Sequence, residues 1–496
     1  MMLAPVLFLA SLQVGSPFGD GMVLQRERPV PVWGVAEAGS KVEVRFASQV
    51  KETVVGADGR WEVSLDPMPA SKEGRTLVVN DRVFSDVLVG EVWLASGQSN
   101  MNLPLWGGNP RYRDGAGRMI ASMTSEPTVR LMTVNNGQWS EHPRAFAPKQ
   151  LVWRKMERGF SDFSAVGYYF ARELVRAIDV PVGIVACHWG GTGIDTWIPR
   201  DGFATRPELA PIAAMPFTTD KSALPNDGIH TRLEQQPSSV WNAQMAAIAP
   251  MACRGLLWYQ GEHNAWNYGL YPSQLHALYA GWSGAFRNPE MSFYLVQIVP
   301  WSQGWRTPFF QEAQQAYVKE NPHAAIAVIS DEGNIDDVHP NRKEVVARRL
   351  LLHALKRDYG FSEIEDESPV PTAFRVEGDL FIVTLDHAGG LYVYNDDGKF
   401  HVPFELAGTD GVYRPAEIVN FRKDGNGHIS GGCLAEDARI VLRAEGVPDP
   451  VSCRFLHGKD RRSNVFNRAN LPLGPFHADL PGYTTVDGVL RTVMKK

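Results

Sequence analysis

Five short apolar runs, four of them closing on unusual clusters of polar or small residues, most constrain how this chain can fold. They are Val92-Trp93-Leu94-Ala95, Val182-Gly183-Ile184-Val185-Ala186, Gly255-Leu256-Leu257-Trp258-Tyr259, Phe293-Tyr294-Leu295-Val296-Gln297-Ile298-Val299 and Ala325-Ile326-Ala327-Val328-Ile329. Runs of this length without alternation suit strands buried on both faces, and the segments between them carry helical spacing. Val166, Phe170 and Leu174 recur every four residues, and a second helix is expected from about Asn341 to Leu355, with Val346 and Leu350 on one side. The expectation is an α/β core, a parallel sheet with crossover helices.

Around that core the pattern changes. From about Val30 to Asp86 the apolar residues alternate, as in Val42, Val44 and Phe46, then Trp61, Val63 and Leu65 after an Asp58-Gly59 turn. Residues 17–86 therefore read as a β-sandwich-like domain and residues 87–368 as the α/β region. Asp201 to Gln236 is rich in Pro, Thr and Asp without a period, which marks an irregular insertion over the site. Residues 369–496 return to β-like runs such as Leu380-Phe381-Ile382-Val383-Thr384-Leu385. With 496 residues, about two to four domains are expected.

Composition excludes several classes of function. Lys plus Arg number 49 against 55 Asp plus Glu, a net charge of -6 without a long basic run, so nucleic acid is not an expected partner. No stretch reaches the length of a membrane-spanning helix. The run Leu3 to Ala10 has the length of a secretory core but no Lys or Arg ahead of it, so residues 1–16 are a weak signal-like segment. Secretion or a periplasmic location is expected from it, with the cytoplasm still open. Cys187, Cys253, Cys433 and Cys453 form no CxxC pair, so no zinc site is expected, and pairing of Cys433 with Cys453 depends on the compartment. The 14 Trp suit either cores or the stacking walls of a sugar site.

In an open α/β sheet, ligands gather at the carboxyl ends of the strands. After the first run stands Ser96-Gly97-Gln98-Ser99-Asn100-Met101, with Ser99 a candidate nucleophile at a strand-to-helix turn. Met101 holds the place of the second Gly in a Gly-x-Ser-x-Gly elbow, so the α/β-hydrolase fold loses ground. After the second comes Cys187-His188-Trp189-Gly190-Gly191-Thr192-Gly193, whose small residues let a bound group reach a backbone N–H, and which lacks the Lys of a phosphate loop. The third ends in Gln260-Gly261-Glu262-His263-Asn264, where Asn264 offers a side-chain donor to an oxyanion. Glu262 suggests a glycosidase, but no other strand end supplies an obvious second carboxylate. The last ends in Ser330-Asp331-Glu332-Gly333-Asn334-Ile335-Asp336-Asp337-Val338-His339-Pro340, where an Asp shortly before a His can orient an imidazole that serves as base. Ser, Gly, Asn and His in that order supply a nucleophile, two oxyanion donors and a base, the parts of a serine hydrolase.

That order is the signature of the SGNH hydrolases, and the wording of the motifs resembles the sialate O-acetylesterase family within them. Gly21-Met22-Val23-Leu24-Gln25-Arg26, Pro31-Val32-Trp33-Gly34, Gly97-Gln98-Ser99-Asn100-Met101, Trp189-Gly190-Gly191-Thr192, Trp258-Tyr259-Gln260-Gly261-Glu262-x-Asn264, Asp337-Val338-His339-Pro340 and the late block Asn464-Val465-Phe466-Asn467 to Pro475-Phe476 carry the resemblance, over roughly residues 17 to 484. It implies a flavodoxin-like parallel-sheet core flanked by β-rich regions. It implies Ser99 as nucleophile, its own N–H with Gly190 or Gly191 and Asn264 as oxyanion hole, and His339 as base. The acid is Asp336 by the spacing usual in the superfamily and Asp337 by the family's Asp-x-His-Pro wording, with Asp336 favoured. Gln98, Asp195, Trp197, Gln260 and Glu262 are the expected sugar contacts. Asn102 stands where the family has an acidic residue, so the side pocket should differ. No metal or cofactor is implied, and the partner is a small molecule or glycan bearing O-acetyl esters. Within this reading an acetylxylan or other polysaccharide esterase is the alternative, and a non-catalytic glycan-binding protein a distant one.

Overall fold

The computed structural model describes residues 11–105, 117, 120–134, 137–301, 306–333, 337–394, 403–423, 429–430, 438–458 and 462–493. The chain divides into two compact units, Met1–Trp258 with Ser273–Phe293, and Tyr259–Pro272 with Tyr294–Lys496.

The first unit begins with short strands. β1 (Gln13–Val14), β2 (Val23–Gln25) and β3 (Val30–Val35) are followed by β4 (Lys41–Phe46), β5 (Gln49–Val54), β6 (Arg60–Leu65) and β7 (Ser71–Val79). The expected alternation is present: β4 and β6 bury every second residue, including Val42, Val44, Phe46, Trp61, Val63 and Leu65. β1, β3 and β6 form one small antiparallel sheet. The apolar run expected as an export segment falls within residues 1–10, outside the described residues, whereas Gln13 and Val14 already pair with Val35 and Gly34.

β8 (Arg82–Gly97) ties these strands to the α/β core. Its first half pairs with β7, and its second half pairs in parallel with β11 (Val182–His188). The boundary read at residue 86 therefore falls inside one continuous strand. The remaining core strands of this unit are β9 (Glu126–Thr133), β10 (Trp153–Met156), β12 (Gly255–Tyr259) and the start of β13 (Ser292–Val296), in the order β10-β9-β11-β8-β12-β13. From β8 the chain passes first to strands on one side and later to β12 on the other, so strand order reverses at β8. Such a switch point opens a crevice at the strand's carboxyl end, where Ser99 stands.

Glu91 in the middle of β8 is fully buried and bonded to Arg254 (2.9 Å), Arg26 (2.5 Å) and Gln25 (3.1 Å). Burial raises its carboxyl pKa, but the two guanidinium groups outweigh that and hold it below the usual range. The helix over Ala165–Ile178 starts on Ser164, whose side chain accepts from the Gly167 N–H at 3.2 Å. Seven of the 14 tryptophans that were open between core and sugar site are buried in the core. Trp93, Trp197, Trp258 and Trp282 are fully buried, and Trp258 meets Trp197 and Trp282 edge-on with centroids 6.0 and 6.2 Å apart. Cys187, Cys253 and Cys453 are buried free thiols, and Cys433 lies outside the described residues.

In the second unit β13 continues beside β14 (Ala324–Ala327), with helices over Thr307–Glu320 and Lys343–Arg357. A seven-stranded antiparallel sheet follows, in the order Val370–Glu377, Leu380–Asp386, Arg439–Ala444, Tyr413–Ile418, Phe404–Ala407, Ser452–Phe455, Phe476–Asp479. Its buried side includes Phe381, Val383, Leu406, Leu442 and Phe455. Among the described residues no helix is long and apolar enough to cross a membrane.

Candidate active site

In the first unit, β8 ends at Gly97, whose φ of +138° favours glycine, and a single helical turn begins at Ser99. The turn is rigid: Met101 and Asn102 return backbone bonds to the Gln98 carbonyl at 3.0 Å, and Asn100 and Met101 are fully buried. Parallel pairing sets His188 opposite Gly97, and the Trp189 N–H donates to the Gly97 carbonyl at 3.0 Å. The glycine loop is thereby brought against the serine. A Cβ added to Gly190 would lie 3.4 Å from the Ser99 Cβ, in van der Waals contact, which shows how closely the loop packs on the candidate nucleophile. Among the described residues, the N–H groups of Gly190 and Gly191 donate to no protein acceptor. Backbone donors normally find partners, so two idle ones beside a candidate nucleophile are available to an anionic oxygen.

Gly191 has φ +71°, a left-handed turn, and its carbonyl points to the insertion, where Arg232 and Gln235 donate to it. The loop's far side is held by Thr192, which donates to the Trp189 carbonyl (2.7 Å) and accepts from the Trp197 indole (3.0 Å). Trp197 and Asp195 were expected to contact sugar, but both are buried, and their side chains are engaged inside the protein. Trp197 packs on Trp258, and Asp195 accepts from Gln274 at 2.7 Å and faces the His230 Nε2 at 3.2 Å. They brace the loop and present no surface to a ligand. Gln98 is likewise buried, at 4% exposure.

The second unit holds the other expected groups. Gly261, at φ +154°, packs where a Cβ would strike Phe310 and Ile298, so only glycine fits at this point after β12. Asn264 follows on the helical stretch Glu262–Leu270 and is fully buried. Gln260, expected at the sugar, donates to the Asn264 Oδ1 at 2.7 Å and accepts from the Tyr271 hydroxyl at 2.8 Å. With its carbonyl oxygen taken by Gln260, Asn264 has its amide N–H groups directed elsewhere. Gln260 is thus a positioning side chain, itself fully buried.

The start of the loop carrying His339 is anchored. Arg349 forms a two-bond pair with Asp331 (2.6 and 2.7 Å), and Ser330 bonds to Leu473 of the late block that carried part of the resemblance and to Ser463 just before it. His339 is partly buried. Asp337 accepts from its backbone N–H at 2.9 Å and lies 3.6 Å from its Nδ1. Asp336, the favoured acid, lies outside the described residues. Burial pushes the His339 pKa below the ordinary imidazole value and the Lys343 charge adds to this, with Asp337 opposing.

Lys343 was not legible as a site residue. It is only 2% exposed, burial brings its pKa down to about 7, and Glu262 and Asp337 oppose that drop. Its ammonium sits 5.1 Å from the centre of the Tyr259 ring. The only sequence signal was its spacing, four residues after His339. Arg232 and Gln235 were missed as well, lying in a segment without periodicity.

One group of donor atoms has metal-like proximity among the described residues. Glu312, His457 and His477 place their ligand atoms within 4.8 Å of one another. The carboxylate already bonds to both rings, at 2.7 and 2.6 Å, so the three groups satisfy one another.

Comparison with known proteins agrees with this architecture. The profile of the carbohydrate esterases described as sialic acid-specific acetylesterase matches residues 89–348, more than half of the chain. The sialate O-acetylesterase of Rattus norvegicus is 28% identical over 444 residues, covering 76% of this chain and 79% of its own. That of Homo sapiens is 26% identical over 452 residues, covering 81% and 82%. Among solved structures, a carbohydrate acetylesterase from Xanthomonas citri superposes with a TM-score of 0.78 at 27% identity, covering 95% of this chain and 100% of that one. The protein is an enzyme of the carbohydrate esterase class, a carboxylic ester hydrolase. Within that class, it belongs to the sialic acid-specific acetylesterase family.

Proposed function

We propose that this esterase removes O-acetyl groups from sialic acids, through an acyl-enzyme on Ser99 within an SGNH-type core. The observation that carries the reading is Ser99 at the switch-point strand end, against a glycine loop with two backbone N–H groups that no acceptor among the described residues uses. The reversal of strand order at β8 supports a flavodoxin-like sheet, with residues 17–86 and 369–496 as β-rich flanks to a catalytic region over 87–368. The names of the curated relatives supply the sugar.

In this mechanism His339 takes the proton from the Ser99 hydroxyl as its oxygen attacks the acetyl carbonyl. The negative oxygen of the tetrahedral intermediate is held by the N–H groups of Ser99 and of Gly190 or Gly191, and by the Asn264 amide. Collapse breaks the bond to the sugar oxygen, which leaves with the proton from His339. Water, deprotonated by His339, then attacks the acetyl-serine, and acetate departs as Ser99 regains its proton. Asp337 is assigned as the acid that orients His339, on the 3.6 Å approach to Nδ1, with Asp336 as the alternative. Trp266 is 59% exposed and two residues beyond Asn264, which makes it the candidate stacking wall for the sugar ring.

The test is acetate release from 9-O-acetylated sialic acid and, in parallel, from acetylated xylan, by the protein and by Ser99→Ala. Release from the sialic acid alone, lost in the variant, is the expected result. Release from xylan alone would keep the mechanism and replace the substrate. Inertness toward both, and toward a small activated acetate ester, would favour a glycan-binding role.

A further inference from the structure

The insertion does more than lie outside the core. Three side-chain bonds join it to the glycine loop, and two come from one residue. Gln235 accepts from the Gly193 N–H at 2.8 Å with its Oε1 and donates from its Nε2 to the Gly191 carbonyl. Arg232 adds a second donor to that same carbonyl. Gln235 is 1% exposed, and its bond from the Gly193 N–H is buried away from water, where a hydrogen bond holds its geometry best.

The support behind Gln235 is equally specific. The Gln235 N–H closes a turn on the Arg232 carbonyl at 2.9 Å. Gln236 bonds Thr218 through both ends of its amide, at 2.6 and 2.9 Å. Ser238 donates its N–H to the Asp195 carbonyl (2.9 Å) and its hydroxyl to the Ile198 carbonyl (2.7 Å). His230, 3% exposed, stands between Asp227 (2.6 Å) and Asp195 (3.2 Å). The segment 227–239 is thus fastened before it touches the loop.

We propose that Gln235 is a positioning residue for catalysis: its amide clamps Gly191 and Gly193 so that the idle N–H groups of Gly190 and Gly191 stay aimed at the oxyanion formed on Ser99. A glycine pair has few barriers of its own, and Gly191 occupies a left-handed turn open to alternatives. The Gly190 N–H shares its peptide plane with the Trp189 carbonyl, which Thr192 holds at 2.7 Å, and Gln235 with Arg232 holds the Gly191 carbonyl, so the plane between them, which carries the Gly191 N–H, has little freedom to rotate and the donors are aligned before substrate arrives. Preorganised donors of this kind act chiefly in the transition state. This inference rests on the assignment of Ser99 and the glycine loop above.

The experiment compares wild type, Gln235→Ala, Gln235→Glu and Arg232→Ala for kcat and KM on an activated acetate ester, and for affinity toward a simple alkyl boronic acid, which forms a tetrahedral adduct on an active serine. Gln235→Ala should lower kcat by roughly 10- to 100-fold with KM nearly unchanged, since a small misplacement of donors costs on that order. Boronate affinity should fall by a comparable factor. Gln235→Glu preserves the size and the acceptor for Gly193 but loses the donor to Gly191, and should be at least as impaired. Arg232→Ala, on a more exposed side chain, removes one of two donors to the same carbonyl and should show the same pattern at smaller size. It serves as the readout if Gln235→Ala does not fold.

A raised KM with unchanged kcat, or a loss of kcat without loss of boronate affinity, would overturn the clamp. If wild type is active and Ser99→Ala is dead, full kcat in both Gln235 variants rejects the clamp alone. A wild type as active as Ser99→Ala rejects the assignment beneath it.

Discussion

His339 Nδ1 lies 3.6 Å from the Asp337 Oδ1, and the same oxygen accepts the His339 backbone N–H at 2.9 Å. One carboxylate oxygen thus holds the backbone of the proposed base and stands within ion-pair distance of its ring. Asp337→Ala should lower kcat/KM by roughly 10²- to 10⁴-fold, the scale on which loss of a triad acid acts, with the circular dichroism spectrum retained. Asp336→Ala should cost less than about tenfold by the same reasoning. The reverse order would move the acid to Asp336.

The acid limb of the pH–rate profile should lie below 6.5, because the base must be neutral and burial with the Lys343 charge holds the His339 pKa down. In that range Lys343 is itself protonated, its pKa lying at about 7. Lys343→Met removes a positive charge that disfavours imidazolium, so the His339 pKa rises and the limb of kcat/KM moves to higher pH. A limb unmoved by the substitution would show that the Lys343 charge is not felt at the base.

Asn264→Ala should cut kcat by roughly 100- to 1000-fold while thermal stability changes little, as expected for one oxyanion donor. Gln260→Leu should give a smaller loss of kcat, because it frees the Asn264 amide to rotate without removing it. Equal losses of stability and activity in Asn264→Ala would assign it a structural role.

Trp266→Ala should raise KM for the acetylated sugar by roughly 2- to 10-fold, the factor for about 0.5–1.5 kcal/mol of ring contact, and leave kcat alone. The control is a small acetate ester without a sugar ring, whose KM should not move. Equal effects on both substrates would remove Trp266 from the sugar site.

Glu91 tests the framework rather than the chemistry. Glu91→Ala leaves Arg254 and Arg26 without their shared counter-charge and should destabilise by about 3–5 kcal/mol in denaturant melts. Its folded-state pKa is depressed, so its contribution is fully present above the ordinary carboxylate range and is lost as pH falls through the depressed value. The difference between wild type and Glu91→Gln should therefore shrink on acidification.

The strands were legible where burial was uniform, and the site motifs where a strand ended in residues of unusual polarity. β12 coincides with its apolar run, and β11 starts with its run and continues two residues further, because both faces are covered. The continuity of β8 was hidden, since its first half alternates in exposure and its second half does not, so one strand reads as two segments. Trp197 and Gln260 show another limit: motif wording marked them, but only packing shows that one faces Trp258 and the other Asn264. Gln235 had no local signal, because its partners lie more than 40 residues away and a hydrogen bond to backbone leaves no periodicity.

The most direct measurement of the central claim is the intact mass of the enzyme quenched during turnover of an activated acetate ester, with the modified peptide mapped. The account predicts one acetyl adduct on the peptide carrying Ser99, absent in Ser99→Ala together with acetate release. Undiminished turnover by Ser99→Ala, or an adduct on a different residue that survives the substitution, would contradict it.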